Sequence, residues 1–261
     1  MPIPARSEQA TGMPPPYDAD EGSPIWRRVL FTAVLGNVVE WYDHALYGIL
    51  AVFMSRAFFA DDNDPYSALI ATYIGLIASY AIRPIGGVVM GRLSDVRGHR
   101  FTLVLTIALM TVGTVLIGVI PGYTVIGVAA PLLLMLCRLV QGVGASGEYT
   151  VAANFILEHG PRPRRHYLAG WSVGSTSLGP LLASVVSLAL IMTLPEHTFA
   201  HWGWRIPFLL AAPLGLITLY IRRSVPELPR IQQALEHVQA DAPPPRPFTD
   251  AVREQWRRCA R

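Results

Sequence analysis

The sequence contains no lysine: all 21 of its Lys+Arg positions are arginine, set against 18 acidic residues in a chain of 261. Charge is scarce altogether, at 15% of residues against 52% hydrophobic, a balance that no single water-soluble core of this length needs. The two cysteines, Cys137 in an apolar run and Cys259 near the end, are too few for a disulfide framework, and Cys137 reads as a small apolar filler. A net charge of +3 carried by arginines clustered between apolar runs is no nucleic-acid footprint, so no nucleic-acid partner is expected. Residues 1–24 are polar and hold Pro, Asp and Glu, and the first apolar stretch is full length, so no cleavable signal fits the start.

What is present is apolar length. Six windows, about residues 29–53, 66–90, 102–120, 127–155, 167–192 and 204–221, are each long enough to cross roughly 30 Å of hydrocarbon as helices, the fourth with residues to spare. Arginines flank them alternately. Arg27 and Arg28 precede span one, Arg92, Arg97 and Arg100 follow span two, Arg162, Arg164 and Arg165 follow span four, and Arg222 and Arg223 follow span six. The other connections are acidic or nearly uncharged, so the arginine-rich ends and both termini are expected in the cytoplasm. The fold expected is an all-α membrane protein: a disordered cytoplasmic tail over 1–26, a six-helix transmembrane bundle over 27–223, and a cytoplasmic linker over 224–261 with Pro243, Pro244 and Pro245.

Ionisable side chains inside the spans carry the functional signal, because each costs about 2.5–3.5 kcal/mol or more unless it faces a cavity or a partner. In span one, Glu40, Asp43 and Tyr47 recur at helical spacing with Gly36, so two carboxylates and a phenol share nearly one stripe. Neighbouring carboxylates suit proton binding. In span four, Arg138, Gln141, Ala145 and Glu148 form one polar face on an apolar helix. The guanidinium of Arg138 suits a carboxylate of a solute or of Glu40, Asp43 or Glu148. Arg83, followed by Pro84, is open to two readings: a snorkelling side chain at a helix-end kink, or a group facing a cavity. Between spans two and three, Gly91-Arg92-Leu93-Ser94-Asp95-Val96-Arg97-Gly98-His99-Arg100 reads as a tight charged loop in which both glycines let the chain reverse. No metal or cofactor is expected.

The string Gly91-x-x-x-Asp95-x-x-Gly98-x-Arg100 resembles the signature between spans two and three of major facilitator superfamily transporters. More narrowly, Gly36-Asn37-Val38-Val39-Glu40-Trp41-Tyr42-Asp43, Arg83-Pro84-Ile85-Gly86-Gly87, Arg138-x-x-Gln141-Gly142 through Gly147-Glu148-Tyr149, and Trp202-Gly203-Trp204-Arg205-Ile206-Pro207-Phe208 resemble the metabolite:proton symporter family. The likeness runs from about Trp26 to Arg230. It implies a multi-pass protein of the plasma membrane, the inner membrane in a bacterium, moving a small carboxylate or zwitterion with a proton by alternating access. Glu40, Asp43, Tyr47, Arg83, Arg138, Gln141 and Glu148 would line the pathway, and Gly91, Asp95, Gly98 and Arg100 would form a cytoplasmic gate. That fold has two six-helix halves, so the chain supplies the first half, and a second half is the expected partner. Trp256-Arg257-Arg258 echoes Trp26-Arg27-Arg28 ahead of span one, in keeping with two similar halves.

Departures from the family pattern are His99 where a basic Arg or Lys is usual, Ser146 where glycine is usual, and Leu181-Leu182 after Gly174 and Gly179-Pro180, which favours a kink in span five. Two alternatives stand beside the symporter. One is a half that does not function or that requires a second polypeptide. The other is an enzyme: Gly144-Ala145-Ser146-Gly147 resembles the nucleophile motif of rhomboid intramembrane proteases, whose serine needs a histidine on span six. Span six has none, and His201 lies just outside it at the opposite face from Ser146, so no enzyme is expected.

Overall fold

The structure, a computed structural model, describes residues 25–59, 65–159 and 165–223. The tail up to residue 24 and the linker over 224–261 lie outside the described residues. The elements are α1 (Ile25–Phe58), α2 (Pro65–Ala81), α3 (Arg83–Arg97), α4 (His99–Val119), α5 (Tyr123–Ile126), α6 (Ala129–His159), α7 (Arg165–Ser175), α8 (Leu178–Thr193), α9 (Glu196–His201), a 3-10 turn (Gly203–Arg205), α10 (Ile206–Leu209) and α11 (Ala211–Arg223). Among the described residues there is no strand.

The six apolar windows appear as six helical units, three of them broken. Each break falls just upstream of a proline: Ile82 before Pro84, Thr176–Ser177 before Pro180, and Leu210 before Pro213. A helical proline lacks an N–H and its ring crowds the carbonyl four residues back, which opens the helix over the preceding turn. Pro131 interrupts nothing, because it sits in the first turn of α6, where its missing N–H has no partner to lose.

Five described stretches are long and apolar enough to cross a membrane: Tyr66–Arg97, Arg100–Val119, Ala129–Gly147, Val173–Thr193 and Gly203–Arg223. The first window is not among them. α1 has ample length, 34 residues, about 51 Å at 1.5 Å per residue. Asn37, Glu40, Asp43 and His44 dilute its hydropathy. Those residues are turned into the bundle, Asn37, Glu40 and Asp43 being buried, while Trp41, Ile49 and Val52 face outward. An inward polar face is what lets a charged helix lie in lipid.

α1 is the centre of the fold. Tyr42, Leu46, Tyr47, Leu50, Met54 and Phe58 are buried in one apolar cluster with Leu134, Trp204 and Phe208. The free Cys137 joins that cluster as an apolar filler. Polar bonds fix the neighbours: Asn37 Nδ2 donates to Ser175 Oγ of α7 at 3.0 Å, and the Tyr42 hydroxyl donates to the Pro207 carbonyl of α10 at 2.8 Å. Two glycines set how closely helices approach. A Cβ on Gly179 of α8 would sit 2.6 Å from the Tyr42 nitrogen and 2.7 Å from the Val38 oxygen of α1, and one on Gly142 of α6 would overlap the Ser79 carbonyl of α2. Small residues at such crossings supply the close packing that holds helices together in lipid.

The expected charged loop is mostly helix. α3 continues through Gly91, Ser94 and Asp95 to Arg97, and the reversal into α4 takes place at Gly98 alone, with φ 88° and ψ 160°. Gly91 is an ordinary helical position with open space around it, so the two-glycine reversal is corrected to one. Gly98→Ala is expected to cost about 1–3 kcal/mol, because only glycine holds that backbone region without strain. Gly91→Ala should be neutral or stabilising. Thermal unfolding of the two variants in detergent checks the contrast.

The ends alternate as the arginines imply. Arg100 Nη2 donates to the Arg223 carbonyl, and Arg222 Nη1 donates to the Leu103 carbonyl at 2.6 Å, which ties the start of α4 to the end of α11. At the opposite end Arg205 Nη2 reaches the Ile120 carbonyl at 3.4 Å, and the Ala57 carbonyl lies against Gly122. The arginine-rich ends of α3, α4 and α11 therefore share one face.

Candidate functional site

α1 places Glu40, Asp43, His44 and Tyr47 within two turns, and the structure divides them between two clusters. The first is centred on Asp43. Its Oδ2 accepts from Arg138 Nη1 of α6 at 2.9 Å, and its Oδ1 accepts from Gln141 Nε2, also of α6, at 2.8 Å. Thr114 Oγ1 of α4 lies 2.8 Å from the same Oδ1, 2.9 Å from Gln141 Nε2 and 2.9 Å from the Met110 carbonyl in its own helix. The Arg138 guanidinium stacks 3.7 Å above the Tyr47 ring centroid, a favourable cation–π placement in a desolvated site. The Tyr47 hydroxyl donates to the Thr72 carbonyl of α2 at 2.8 Å. One acid thus joins α1, α4 and α6 directly and α2 through Tyr47.

This cluster is sealed. The side chains of Arg138 and Asp43 are 0% and 1% exposed, and the six helical units of this chain suffice to close them off. The pair therefore lies inside the bundle and is not part of a surface groove. Arg138 Nε and Nη2 are buried without a hydrogen-bond partner. Of the partners open to Arg138 in sequence, Asp43 is the one it takes among the described side chains.

The second cluster is centred on Glu40. Arg83, the first residue of α3, donates from Nη2 to Glu40 Oε1 at 3.0 Å and lies over the Tyr80 ring at 4.5 Å. The same Nη2 is 2.8 Å from His44 Nε2. Arg83 is 27% exposed at its side chain and Glu40 is 6%, so this cluster meets the surface where the first does not. Of the two readings of Arg83, the contacts favour the inward one: from the start of α3 its side chain reaches the buried Glu40 carboxylate of α1.

Glu148 lies on α6, but its side chain lies outside the described residues, as does that of His99. Asp95 is exposed and makes no hydrogen bond or ion pair among the described residues, while Arg100 reaches α11 as above. Ser146 Oγ donates to the Val143 carbonyl at 2.6 Å and sits against Gly86 of α3, a packing contact between helices. Sequence reading missed Thr114 and His44. Thr114 is one of four threonines in span three, with Thr102, Thr106 and Thr111, and nothing in the sequence singles it out from the others. His44 is adjacent to Asp43 in sequence, and the i, i+4 spacing from Glu40 was the available signal.

Residues 29–242 match the sugar (and other) transporter family. The chain belongs to that family. Its fold is that of the major facilitator superfamily: the xylose transporter XylE of E. coli in a partially occluded inward-open conformation superposes with a TM-score of 0.72 at 21% identity, over 83% of this chain and 53% of XylE. The proton:xylose symporter XylE bound to 6-bromo-6-deoxy-D-glucose gives 0.73 at 20% identity, over 85% of this chain and 50% of that one. Among curated relatives, the proline/betaine transporter of Salmonella typhimurium is 38% identical over 213 residues, covering 82% of this chain and 42% of its own length. The glycine betaine/proline/ectoine/pipecolic acid transporter OusA of Dickeya dadantii is also 38% identical, with the same coverage. The chain therefore spans less than half the length of these relatives. As a member of the sugar (and other) transporter family with five described helical stretches long and apolar enough to cross a membrane, it is a multi-pass protein of the plasma membrane.

Proposed function

We propose that this chain is one half of a secondary transporter that moves a small, net-neutral zwitterion together with a proton by alternating access, and that Asp43 carries the proton. The observation behind this reading is the sealed Asp43–Arg138 pair at 2.9 Å. A carboxylate that bonds three helices through one negative charge is a switch: protonation removes the charge that holds Arg138, and α1, α4 and α6 lose their common anchor. Burial is compatible with that role, because access to the pair then depends on the conformation of the bundle.

Charge balance supports a zwitterion over a carboxylate anion. Arg138 is matched by Asp43 and Arg83 by Glu40, so neither of these two clusters offers an incoming solute an excess of positive charge. The proline and betaine named for the relatives are solutes of that kind. In this reading Arg83 and Glu40, at the more exposed cluster, face the solute pathway, Tyr47 and Gln141 hold the Asp43–Arg138 pair, and Gly91, Asp95, Gly98 and Arg100 act at the cytoplasmic gate. The other wall of the pathway belongs to a second six-helix half.

Vesicles carrying this chain with such a half should accumulate betaine or proline under an inward proton gradient and alkalinise the outside as they do so. An excess of proline should compete, and an equal excess of citrate should not. Competition by citrate without competition by proline would overturn the zwitterion assignment. Uptake indifferent to the proton gradient would overturn the coupling.

A further inference from the structure

His44 has no part in the Asp43 cluster, and its two ring nitrogens face partners of opposite kind. Nδ1 is 2.8 Å from the Glu40 backbone oxygen, which only accepts. Nε2 is 2.8 Å from Arg83 Nη2, which only donates. A single protonation state satisfies both contacts: a neutral ring with its hydrogen on Nδ1 and its lone pair on Nε2. A proton on Nε2 would turn the second contact into two donors and two cations at the same distance, which Arg83 cannot keep. Arg83 is also the residue that opens α3 at the break before Pro84, so its attachment to α1 joins the two helices at a natural hinge.

We propose that His44 is a second proton-binding position of this protein, separate from Asp43, and that a proton on Nε2 breaks one of the two side-chain bonds by which Arg83 ties the start of α3 to α1, leaving the ion pair with Glu40 as the other. The proton comes from water. It forms an Nε2–H bond on the ring, and the hydrogen bond that Arg83 Nη2 donates to Nε2 breaks. The Nδ1–H bond to the Glu40 carbonyl persists, and the ion pair with the Glu40 carboxylate at 3.0 Å keeps the guanidinium nearby. Two aromatic rings also border the imidazole. Tyr80 of α2 lies 5.3 Å from it, centroid to centroid, and Trp41 of α1 lies 6.2 Å away. The further charges that act on it, Asp43 of α1 and Arg138 of α6, are bonded to each other. The assignment rests on the proposed function only for the place of this proton in a transport cycle, since the tautomer follows from the contacts alone.

The test is nitrogen-15 NMR of the histidine-labelled full chain in lipid nanodiscs, with the His44 signals assigned by their loss in His44→Gln. The expected high-pH spectrum has hydrogen on Nδ1 and none on Nε2, and lowering the pH should give the doubly protonated ring. In Arg83→Gln the same transition should occur at a pH about one unit higher or more, because no neighbouring cation has to be displaced. An Nε2-protonated ring at high pH, a ring that never takes up the second proton, or a midpoint that Arg83→Gln leaves in place would each overturn the proposal. Should His44→Gln fail to fold, a variant keeping His44 as its only histidine yields the same spectrum. Absence of solute uptake would count against the proposed function and leave this spectrum unchanged, so the two can fail separately.

Discussion

Arg138→Ala is expected to cost about 3–5 kcal/mol, the penalty for leaving one member of a buried ion pair without its partner. The magnitude follows from where the pair lies. Both side chains are almost fully buried, so solvent does not screen the abandoned carboxylate. Of the donors left to Asp43, Gln141 and Thr114 at 2.8 Å, neither carries a charge. The loss would appear as a fall of about 6–20 °C in the thermal midpoint of the detergent-solubilised protein. The same substitution removes the cation above Tyr47 and opens a void between α6 and α1. The double variant Asp43→Leu, Arg138→Met separates these effects: it restores apolar volume without a lone charge, and replacement of a buried pair by packed apolar groups is often neutral or better. A double variant as unstable as Arg138→Ala would show that the void, and not the unpaired acid, sets the loss.

The second large effect is on coupling. Asp43→Asn keeps the size of the side chain and can still accept from Gln141 and Thr114, but it neither binds nor releases a proton. With an inward gradient of about one pH unit, symport of one proton sustains up to about tenfold solute accumulation, since one pH unit corresponds to about 1.4 kcal/mol. In the variant paired with a second six-helix half, accumulation should fall to about equality across the membrane, while exchange of labelled for unlabelled solute continues. Loss of both would assign Asp43 a structural role. Retention of tenfold accumulation would move the coupling proton elsewhere, with His44 the first position to test.

The membrane class, the positions of the spans and their alternating orientation were legible because they depend on local quantities: the length of apolar runs and the flanking arginines. The breaks were partly legible for the same reason, since Pro84, Pro180 and Pro213 act on their own preceding turns. Even so, the turn between α3 and α4 is narrower than its residues suggest. Two glycines in a charged string look alike on paper, but Gly98 takes a positive φ and Gly91 is an ordinary helical residue.

Which residues act together was a different matter. Glu40 and Asp43 share a stripe of α1, and sequence spacing joins them. Tertiary structure parts them because α3 begins at Arg83 on one side of α1 while α6 brings Arg138 and Gln141 to the other. Thr114 is the one of α4's four threonines that reaches the Asp43 carboxylate, and His44 becomes a specific acceptor only because Arg83 faces it.

The sequence by itself determined that this chain lies in a bilayer with ionisable groups inside its spans, and that these need partners there, because the cost of an unpaired ion in hydrocarbon applies wherever the helix is placed. Which ion meets which partner, and which of the two pairs is closed to water, was settled only by helix packing, since a pair at 2.9 Å depends on contacts between residues separated by 95 positions in the chain.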